Sequence, residues 1–285
     1  MVLTAHGQVH VEDWPKVRME IAGMDAKGDP LADLTADAMT VRENKKPVKV
    51  DVLERAAGPM SVCVVVDMSG SMYARLPLLR STVQRFLDHL PEEDEVCVVD
   101  FGFKVYMPQK FTLDRSKAIA TLAPLHAWGG TALHDALILT AAYMRKSAKE
   151  TSQAIVVFSD GADNSSQISE RQFWQDIAVP GTPPVHIVRI PTAESLWDDR
   201  EDAREAQEFS QRLGGFTFSP HKNVDLMTSV DRLNAVLKSR YVLAYESEDG
   251  RKDGRKRRVD LELDKMHQKA KDVIRAPEGY YAPSQ

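Results

Sequence analysis

SVCVVVDMSGS, residues 61–71, joins a continuous apolar run to a polar turn, and the prediction of the fold starts from these residues. A run of this length and composition predicts a strand that is buried on both faces and ends at Asp67. Apolar side chains at helical spacing follow between Leu78 and Leu90. A buried strand, a polar turn and an amphipathic helix form the basic unit of a parallel sheet wrapped by helices.

The same alternation continues outward to residue 240. Further strands are predicted at 95–100, 104–107, 154–159, 185–190 and 215–218, and further helices at 115–122, 132–149, 199–213 and 224–240. The pattern predicts an α/β fold with a doubly wound, Rossmann-like, mostly parallel sheet. Residues 104–107 are its one antiparallel edge strand, because a turn of two or three residues joins only antiparallel neighbours.

The two ends of the chain have a different texture, in which short strands alternate with turns. Strands are predicted there at 17–21, 39–43, 48–53, 241–245, 258–263 and 271–274. Each flank alone is too short to be stable, so we expect the two to pair into one small, discontinuous β-sandwich-like domain. The predicted domains are residues 58–240 and, beside them, residues 1–57 together with 241–285.

The composition is that of a globular protein with a mildly acidic balance. Of the 285 residues, 43% are hydrophobic and 28% are charged, and 37 Lys and Arg against 42 Asp and Glu give a net charge of -5. This charge gives no reason to bind nucleic acid. No apolar run approaches the roughly 20 residues that span a bilayer, so no membrane span is predicted.

Cys63 and Cys97 are the two cysteines of the chain, and each lies in an apolar, strand-like run. A free thiol in such a place behaves as a small buried hydrophobe. Both are predicted to be reduced core residues, with a disulfide between them as the alternative.

Oxygen-bearing side chains follow two predicted strands at the carboxyl edge of the sheet, where ligand sites form in open α/β folds, and a third loop that precedes a predicted helix adds another hydroxyl. Five such side chains come from three loops: Asp67, Ser69, Ser71, Thr131 and Asp160. Hydroxyls and carboxylates are hard ligands that suit Mg²⁺, with Mn²⁺ or Ca²⁺ as alternatives. Two carboxylates only balance a divalent cation, so an acidic side chain of a protein partner can complete the metal shell.

Each of these residues also has an ordinary structural interpretation. Ser and Asp at a strand-to-helix turn commonly cap the helix, Thr131 can cap the helix that follows it, and Asp160 with Gly161 can form a simple turn. The occurrence of all five residues in this order favours the metal site over the separate explanations.

The set resembles the metal-ion-dependent adhesion site of von Willebrand factor A domains, where a D-x-S-x-S run, a Thr in a second loop and an Asp in a third hold the metal. All five positions match. The resemblance implies that Ser69, Ser71 and Thr131 touch the metal directly. It implies that Asp67 and Asp160 act directly or through water, and that the ligand is a protein presenting an Asp or Glu.

The flanks resemble a narrower group, the bacterial VWFA-related proteins of the acidobacterial type. The matching segments are 28–37 and 41–47 near the start and 239–245 and 278–283 near the end. Such proteins are usually exported, which implies a secreted, periplasmic or cell-surface location. The opening sequence MVLTAHGQVHVEDWPKV lacks the basic-then-apolar pattern of a signal peptide, so the cytoplasm is the alternative.

Residues next to the metal loops are candidates for a partner-binding rim. Four are predicted: Tyr73, Trp128, Asp163 and Asn164. His126 and His134 flank the same region, but a His or Trp beside a helix start is more often a packing residue, and Asn after a strand is an ordinary turn former. The basic cluster at 251–258 is predicted to be a solvated hairpin tip, with docking to an anionic surface as the alternative.

Three functions compete for this sequence. The favoured one is a non-catalytic adhesion or scaffold module, so the chain is predicted not to be an enzyme. The second is a Mg²⁺-dependent hydrolase or phosphatase, which is weakened because no Lys or Arg stands in the metal loops and Ser69 occupies the position two after Asp67. The third is a structural cell-envelope component that binds no metal.

Overall fold

The computed structural model describes residues 9–11, 13–124, 126–161, 163–177, 179, 181–191, 200–220 and 223–284. Its strands are β1 (Val9–His10), β2 (Lys16–Met24), β3 (Met39–Glu43), β4 (Lys46–Val48), β5 (Val50–Arg55), β6 (Met60–Asp67), β7 (Glu95–Phe101), β8 (Val105–Thr112), β9 (Ser152–Ser159), β10 (Val185–Arg189), β11 (Thr217–Phe218), β12 (Tyr241–Glu246), β13 (Lys256–Leu263), β14 (Val273–Arg275) and β15 (Gly279–Tyr281). Its helices are α1 (Leu76–Asp88), α2 (Arg115–Ala120), α3 (Leu133–Ser147), α4 (Glu170–Ile177), α5 (Arg200–Arg212), α6 (Asn223–Lys238) and α7 (Lys265–Ala270), with short 3-10 helices at Ala36–Ala38 and Gly70–Arg75.

A six-stranded sheet with the order β11-β10-β9-β6-β7-β8 forms the middle of the protein. Its neighbouring strands are parallel except for β8, which runs antiparallel to β7 at one edge. The prediction of a doubly wound, mostly parallel sheet with one antiparallel edge strand is confirmed. β6 and β9 are neighbours at the centre, so their carboxyl ends meet at the same edge.

Helices cover both faces of this sheet, which explains the unbroken apolar run in β6. Val62, Val64 and Val66 pack on the face covered by α1, α2 and α6, whereas Cys63 and Val65 pack on the face covered by α3, α4 and α5. All five side chains are fully buried. Full burial of a valine side chain stabilises a fold by about 1.5–3 kcal/mol. Since neither face of β6 meets solvent, the strand has no place for alternating polar residues.

Two helices differ from the predictions. The segment after Asp160 is predicted as a loop, but α4 occupies part of it and buries Phe173 and Ile177 in the core. Eight residues with two buried side chains carry little helical periodicity. The short α7 is also unpredicted, and Asp264 caps it by accepting two backbone N–H groups. The predicted start of α5 at Asp199 lies outside the described residues.

The flanks form two antiparallel sheets, and each sheet contains strands from both ends of the chain. One has the order β1-β2-β12-β5 with β14 beside β2, and the other has the order β15-β13-β3-β4. Buried side chains from both sheets belong to one core, which includes Val17, Met19, Ile21, Val41, Tyr241, Leu243, Tyr245, Val259, Leu263 and Tyr280. The sandwich-like pairing of the flanks is confirmed, while the exact domain boundaries at 57/58 and 240/241 stay predictions.

The two cysteines correct one prediction. Cys63 in β6 and Cys97 in β7 are joined by a disulfide, so they are not the reduced residues that the apolar pattern predicts. The register places them opposite each other with 4.6 Å between their Cα atoms. That separation lies in the range that a disulfide spans. The apolar pattern of each strand predicts its burial but not its register against the neighbouring strand.

The described helices are short. The longest, α6, has 16 residues, which is about 24 Å at 1.5 Å per residue. None of the helices among the described residues is long and apolar enough to cross a membrane.

Candidate metal site

The D-x-S-x-S loop lies where β6 leaves the sheet. β6 ends at Asp67 and a 3-10 helix begins at Gly70, so the chain turns at the carboxyl edge. The Oδ1 atom of Asp67 accepts the N–H of Ser69 at 2.8 Å. Asp67 and Ser69 are buried, whereas Ser71 is exposed. The loop therefore presents a buried carboxylate and a buried hydroxyl beneath a hydroxyl that faces solvent.

Asp160 approaches this loop from the neighbouring strand, because it directly follows β9, which pairs with β6. The Ser71 hydroxyl donates to Oδ1 of Asp160 at 3.1 Å. The Oγ atoms of Ser69 and Ser71 are also 3.1 Å apart. Adjacent ligands of an octahedral Mg²⁺ with bonds of 2.0–2.1 Å lie about 2.9 Å apart. The observed separations therefore fit ligands of one metal ion.

Thr131 comes from the loop before α3, and backbone hydrogen bonds hold that loop beside the D-x-S-x-S loop. The N–H of Gly70 donates to the carbonyl of Gly129 at 2.9 Å. The N–H of Thr131 donates to Oδ1 of Asn164 at 2.8 Å, and the carbonyl of Thr131 accepts the N–H of Asn164 at 3.0 Å. A Cβ at Gly130 would lie 2.8 Å from the same Asn164 Oδ1, so glycine is needed for this close approach. Thr131 is buried at the junction.

Helix capping accounts for little of this arrangement. The Ser69 side chain makes no capping hydrogen bond to the 3-10 helix that follows it. The N-cap position of α3 is Ala132 and not Thr131. By contrast, Asp114 caps α2 by accepting a backbone N–H. Asp67 does accept a backbone N–H, so the turn-forming role and a ligand role are compatible for that residue.

Asp67 is a buried carboxyl group whose charged form has lost its hydration. Burial raises its pKa to about 6, hydrogen bonds from Ser159 and Ser69 oppose this shift, and the charge of Asp160 adds to it. A divalent cation would favour the charged carboxylate. Among the described residues, no group of three or more His, Cys, Asp or Glu side chains is arranged to hold a metal. A metal at this edge would therefore depend on the Ser and Thr hydroxyls.

Two further residues support the site, and their roles do not follow from the sequence pattern. Ser159, the last residue of β9, donates its hydroxyl to Oδ2 of Asp67. Asn164 is predicted as a rim residue, but its exposed side chain also fixes the backbone of Thr131. The only sequence signal for Ser159 is its place one residue before Asp160. Strand alternation does not indicate that the Asp67 carboxylate lies within its reach.

The other predicted rim residues differ in exposure. Tyr73 is 73% exposed and Trp128 is 64% exposed. The Asp163 side chain is largely covered, and its carboxylate accepts the N–H of His134 at 3.2 Å. His134 stacks on Phe173 with 4.2 Å between ring centroids, and burial lowers its pKa. His134 is therefore a packing residue, whereas Tyr73 and Trp128 are accessible to a partner.

The metal loops are residues 67–71, 129–131 and 160–161. A cleft of about 420 Å³ lies beside them. Its lining includes Ser159 and Arg189 together with aromatic side chains of α4 and α5. Arg189 ends β10 in register with Ser159 and is buried. A buried cation thus stands one strand beyond the site, outside the metal loops, which themselves contain no Lys or Arg.

Comparison with known proteins shows which class this fold belongs to. The sequence model of the von Willebrand factor type A domain matches residues 62–162. A solved von Willebrand factor type A protein from Catenulispora acidiphila is 16% identical with a TM-score of 0.53, over 93% of this chain and 74% of that one. The D319A mutant of the PilB minor pilin from Streptococcus sanguinis is 15% identical with a TM-score of 0.52, over 65% of this chain and 62% of that one. No curated protein sequence matches the chain.

Residues 62–162 therefore match the von Willebrand factor type A domain. At these identities the solved structures support the fold alone. The family resemblance that the sequence motifs indicate is confirmed at the level of this domain, and the matched region contains all five predicted ligands. The narrower likeness to bacterial VWFA-related proteins and the metal site itself stay predictions.

Proposed function

We propose that this protein is a metal-dependent protein-binding module that captures an Asp or Glu side chain of a protein partner. The proposed metal is Mg²⁺, with Mn²⁺ or Ca²⁺ as alternatives, and its ligands are Asp67, Ser69, Ser71, Thr131 and Asp160. One observation carries the proposal. Oxygen atoms from two neighbouring strand ends lie close together at the edge of the sheet. The Oγ atom of Ser71 is 3.1 Å from Oγ of Ser69 and 3.1 Å from Oδ1 of Asp160, and Ser71 is exposed to solvent.

The residues of the site have different tasks in this proposal. Ser159 and the N–H of Ser69 orient the Asp67 carboxylate before any ligand arrives. The exposed Ser71 marks the side from which a partner approaches. A bound Mg²⁺ would supply the positive charge that attracts the partner's carboxylate. The two carboxylates of the site do no more than neutralise the charge of the metal, and the three hydroxyls are neutral. The metal can therefore still accept a carboxylate from the partner.

The chemistry of the loops supports binding over catalysis. The metal loops contain no Lys, Arg, His or Cys, and their two carboxylates, Asp67 and Asp160, serve as metal ligands in this proposal, so no other side chain of the loops is left to act as a general base or an activated nucleophile. Arg189 lies a full strand away from Asp67. A hydrolase of this geometry would need an acid or base within hydrogen-bond reach of its substrate.

Two observations support a location outside the cytoplasm. The disulfide between Cys63 and Cys97 is a bond that persists mainly in oxidising compartments. The PilB protein that shares this fold is a minor pilin, and this chain spans 62% of its length. We propose that the present protein works in the periplasm, at the cell surface or in secreted form.

Alanine substitution of the ligands tests the proposal. We expect Asp67→Ala and Ser69→Ala to abolish saturable binding of Mn²⁺, a substitute for Mg²⁺ that is visible by electron paramagnetic resonance. Both residues lie at a turn that leaves the sheet, so the circular dichroism spectrum of each variant should match that of the parent protein. Ser229→Ala, which changes a half-buried serine of α6 outside the metal loops, is the matched control.

The control should bind Mn²⁺ as the unmodified protein does. Absence of saturable binding by the unmodified protein would refute the proposal, and so would full binding by a folded Asp67→Ala variant.

A further inference from the structure

Three exposed aromatic side chains belong to segments that adjoin the candidate metal site. Tyr73, Phe103 and Trp128 are 73%, 55% and 64% exposed. They come from positions far apart in the sequence, namely the 3-10 helix that contains Ser71, the turn between β7 and β8, and the loop before Thr131. We call these three side chains the aromatic collar. Tyr73 and Trp128 are predicted as rim residues, whereas Phe103 is not.

Backbone contacts hold the three segments of the collar together. The N–H of Met68 donates to the carbonyl of Phe101 at 2.6 Å, and the N–H of Trp128 donates to the carbonyl of Met68 at 2.9 Å. Gly129 has a φ of +76°, and a Cβ placed on it would lie 3.0 Å from Cβ of Phe103. The bond from Gly70 to Gly129 adds the 3-10 helix that carries Tyr73. The collar is therefore fixed to the same backbone that positions the metal ligands.

The depth of the site determines what contacts the collar. Asp67, Ser69 and Thr131 are buried, and among the five proposed ligands only Ser71 is exposed. A carboxylate on a partner must therefore reach inward past the rim, which brings the residues next to it onto the collar. Aromatic side chains lose little conformational entropy on binding and dominate the energetics of many interfaces.

We infer that the aromatic collar binds apolar side chains next to the metal-bound Asp or Glu, so that the partner is a protein segment in which one acidic residue has aliphatic or aromatic neighbours. This inference rests on the proposed function, because the collar has a carboxylate to flank only if the metal site captures one. A segment of consecutive acidic residues fits poorly. Its extra charges would be desolvated against aromatic rings without a counter-ion.

Paired peptide probes test the inference. Both are nonapeptides with one central Asp, displayed at high density on a surface. In one probe Phe and Leu flank the Asp, and in the other Ser stands at both positions. In the presence of Mg²⁺ we expect the apolar-flanked probe to bind about tenfold more tightly. Addition of EDTA should abolish the binding of both.

Variants of the collar connect this preference to the named residues. Phe103→Ser and Trp128→Ser should each reduce the preference several-fold while Mn²⁺ binding stays intact. Tyr106→Ser is the matched control, because Tyr106 is 57% exposed on the edge strand β8 and lies outside the collar. Its preference should equal that of the unmodified protein.

The outcomes separate the two proposals. If the unmodified protein does not bind Mn²⁺, both the metal site and the inference are refuted. Three outcomes with intact Mn²⁺ binding overturn the inference alone. They are equal affinity for both probes, binding of neither probe, and a preference that survives in both collar variants. Binding of the apolar probe that persists in EDTA or in Asp67→Ala also overturns it, because the collar would then act as a separate apolar patch.

Discussion

At the scale of single residues, burial determines which side chains carry charge. His186 in β10 is 3% exposed, and its Nδ1 accepts the N–H of Phe216 at 3.3 Å. Burial, with a smaller contribution from the charge of Arg240, lowers the pKa of His186 to about 3. An Nδ1 that accepts a hydrogen bond belongs to a neutral ring. The ring therefore stays uncharged in the folded protein at neutral and mildly acidic pH.

This histidine should make the protein sensitive to acid. Above about pH 6.5 the ring is neutral in both states, so its contribution to stability is complete. As pH falls below 6.5, the unfolded chain binds a proton that the folded chain does not accept until about pH 3. The free energy of unfolding should therefore fall, by on the order of 3 kcal/mol from this group between pH 8 and pH 4.

Urea unfolding at pH 8, 6 and 4 measures this loss. His186→Asn keeps an oxygen near the position of Nδ1 but removes the titrating ring, so its free energy of unfolding should fall much less with acid. His126→Asn, at an exposed histidine, should keep the pH dependence of the unmodified protein. Identical pH dependence in His186→Asn and the unmodified protein would contradict the assignment.

At the scale of secondary-structure elements, strand register decides the state of the cysteines. β6 and β7 are parallel neighbours, and Cys63 opposite Cys97 closes a loop of 34 residues that includes α1. A cross-link of this span stabilises the folded state by about 3–4 kcal/mol in the chain-entropy account. The bond also fixes β7 against the strand that carries Asp67.

Removal of this cross-link should lower stability while retaining the sheet. Cys63→Ala with Cys97→Ala should reduce the free energy of unfolding by about 3 kcal/mol, because the unfolded chain regains its freedom. Thiol titration of the unmodified protein in denaturant without reductant should find no free thiol. Two titratable thiols, or a midpoint of urea unfolding that reductant leaves unchanged, would argue against the disulfide.

At the scale of the whole molecule, a buried carboxylate links the two flanks of the chain. Glu43 in β3 accepts hydrogen bonds from Tyr245 at 3.1 Å, from Ser247 at 2.7 Å and from Tyr280 at 2.5 Å. Burial and the nearby Glu43 raise the pKa of Tyr245 and of Tyr280, so both phenols stay protonated as donors. The N-terminal flank supplies the acceptor, and the C-terminal flank supplies all three donors.

Disruption of this cluster should destabilise the flanking sheets. Glu43→Gln replaces one acceptor oxygen by an NH₂ group that faces hydroxyl donors, and we expect a loss of about 2–3 kcal/mol in the free energy of unfolding. Glu54→Gln is the matched control, because Glu54 lies on β5 with an exposed partner in Arg18. The control should change stability little.

Urea unfolding of both variants checks this expectation, and Mn²⁺ binding shows whether the metal site responds. Equal stability of Glu43→Gln and the unmodified protein would mean that the cluster does not hold the flanks together.

Local patterns in the sequence determine the central sheet and the candidate ligands. Strands that are buried on both faces appear in the sequence as continuous apolar runs. The helices between them appear as apolar residues at helical spacing, so each element is encoded in neighbouring residues. Asp67 and Asp160 are predictable as a pair because parallel strands end at one edge, and Thr131 is predictable as a hydroxyl residue just before a helix. The doubly wound, mostly parallel α/β sheet is therefore predictable from residues 61–240 without knowledge of any long-range contact.

Contacts between distant segments depend on tertiary packing. The disulfide depends on the register of β6 against β7, and the contact between Ser159 and Asp67 depends on the side-chain directions of two adjacent strands. The Glu43 cluster joins residues more than 200 positions apart. The place of Phe103 in the collar depends on a close approach to Gly129. Such pairings arise from packing between elements, and the local sequence of either partner does not encode them.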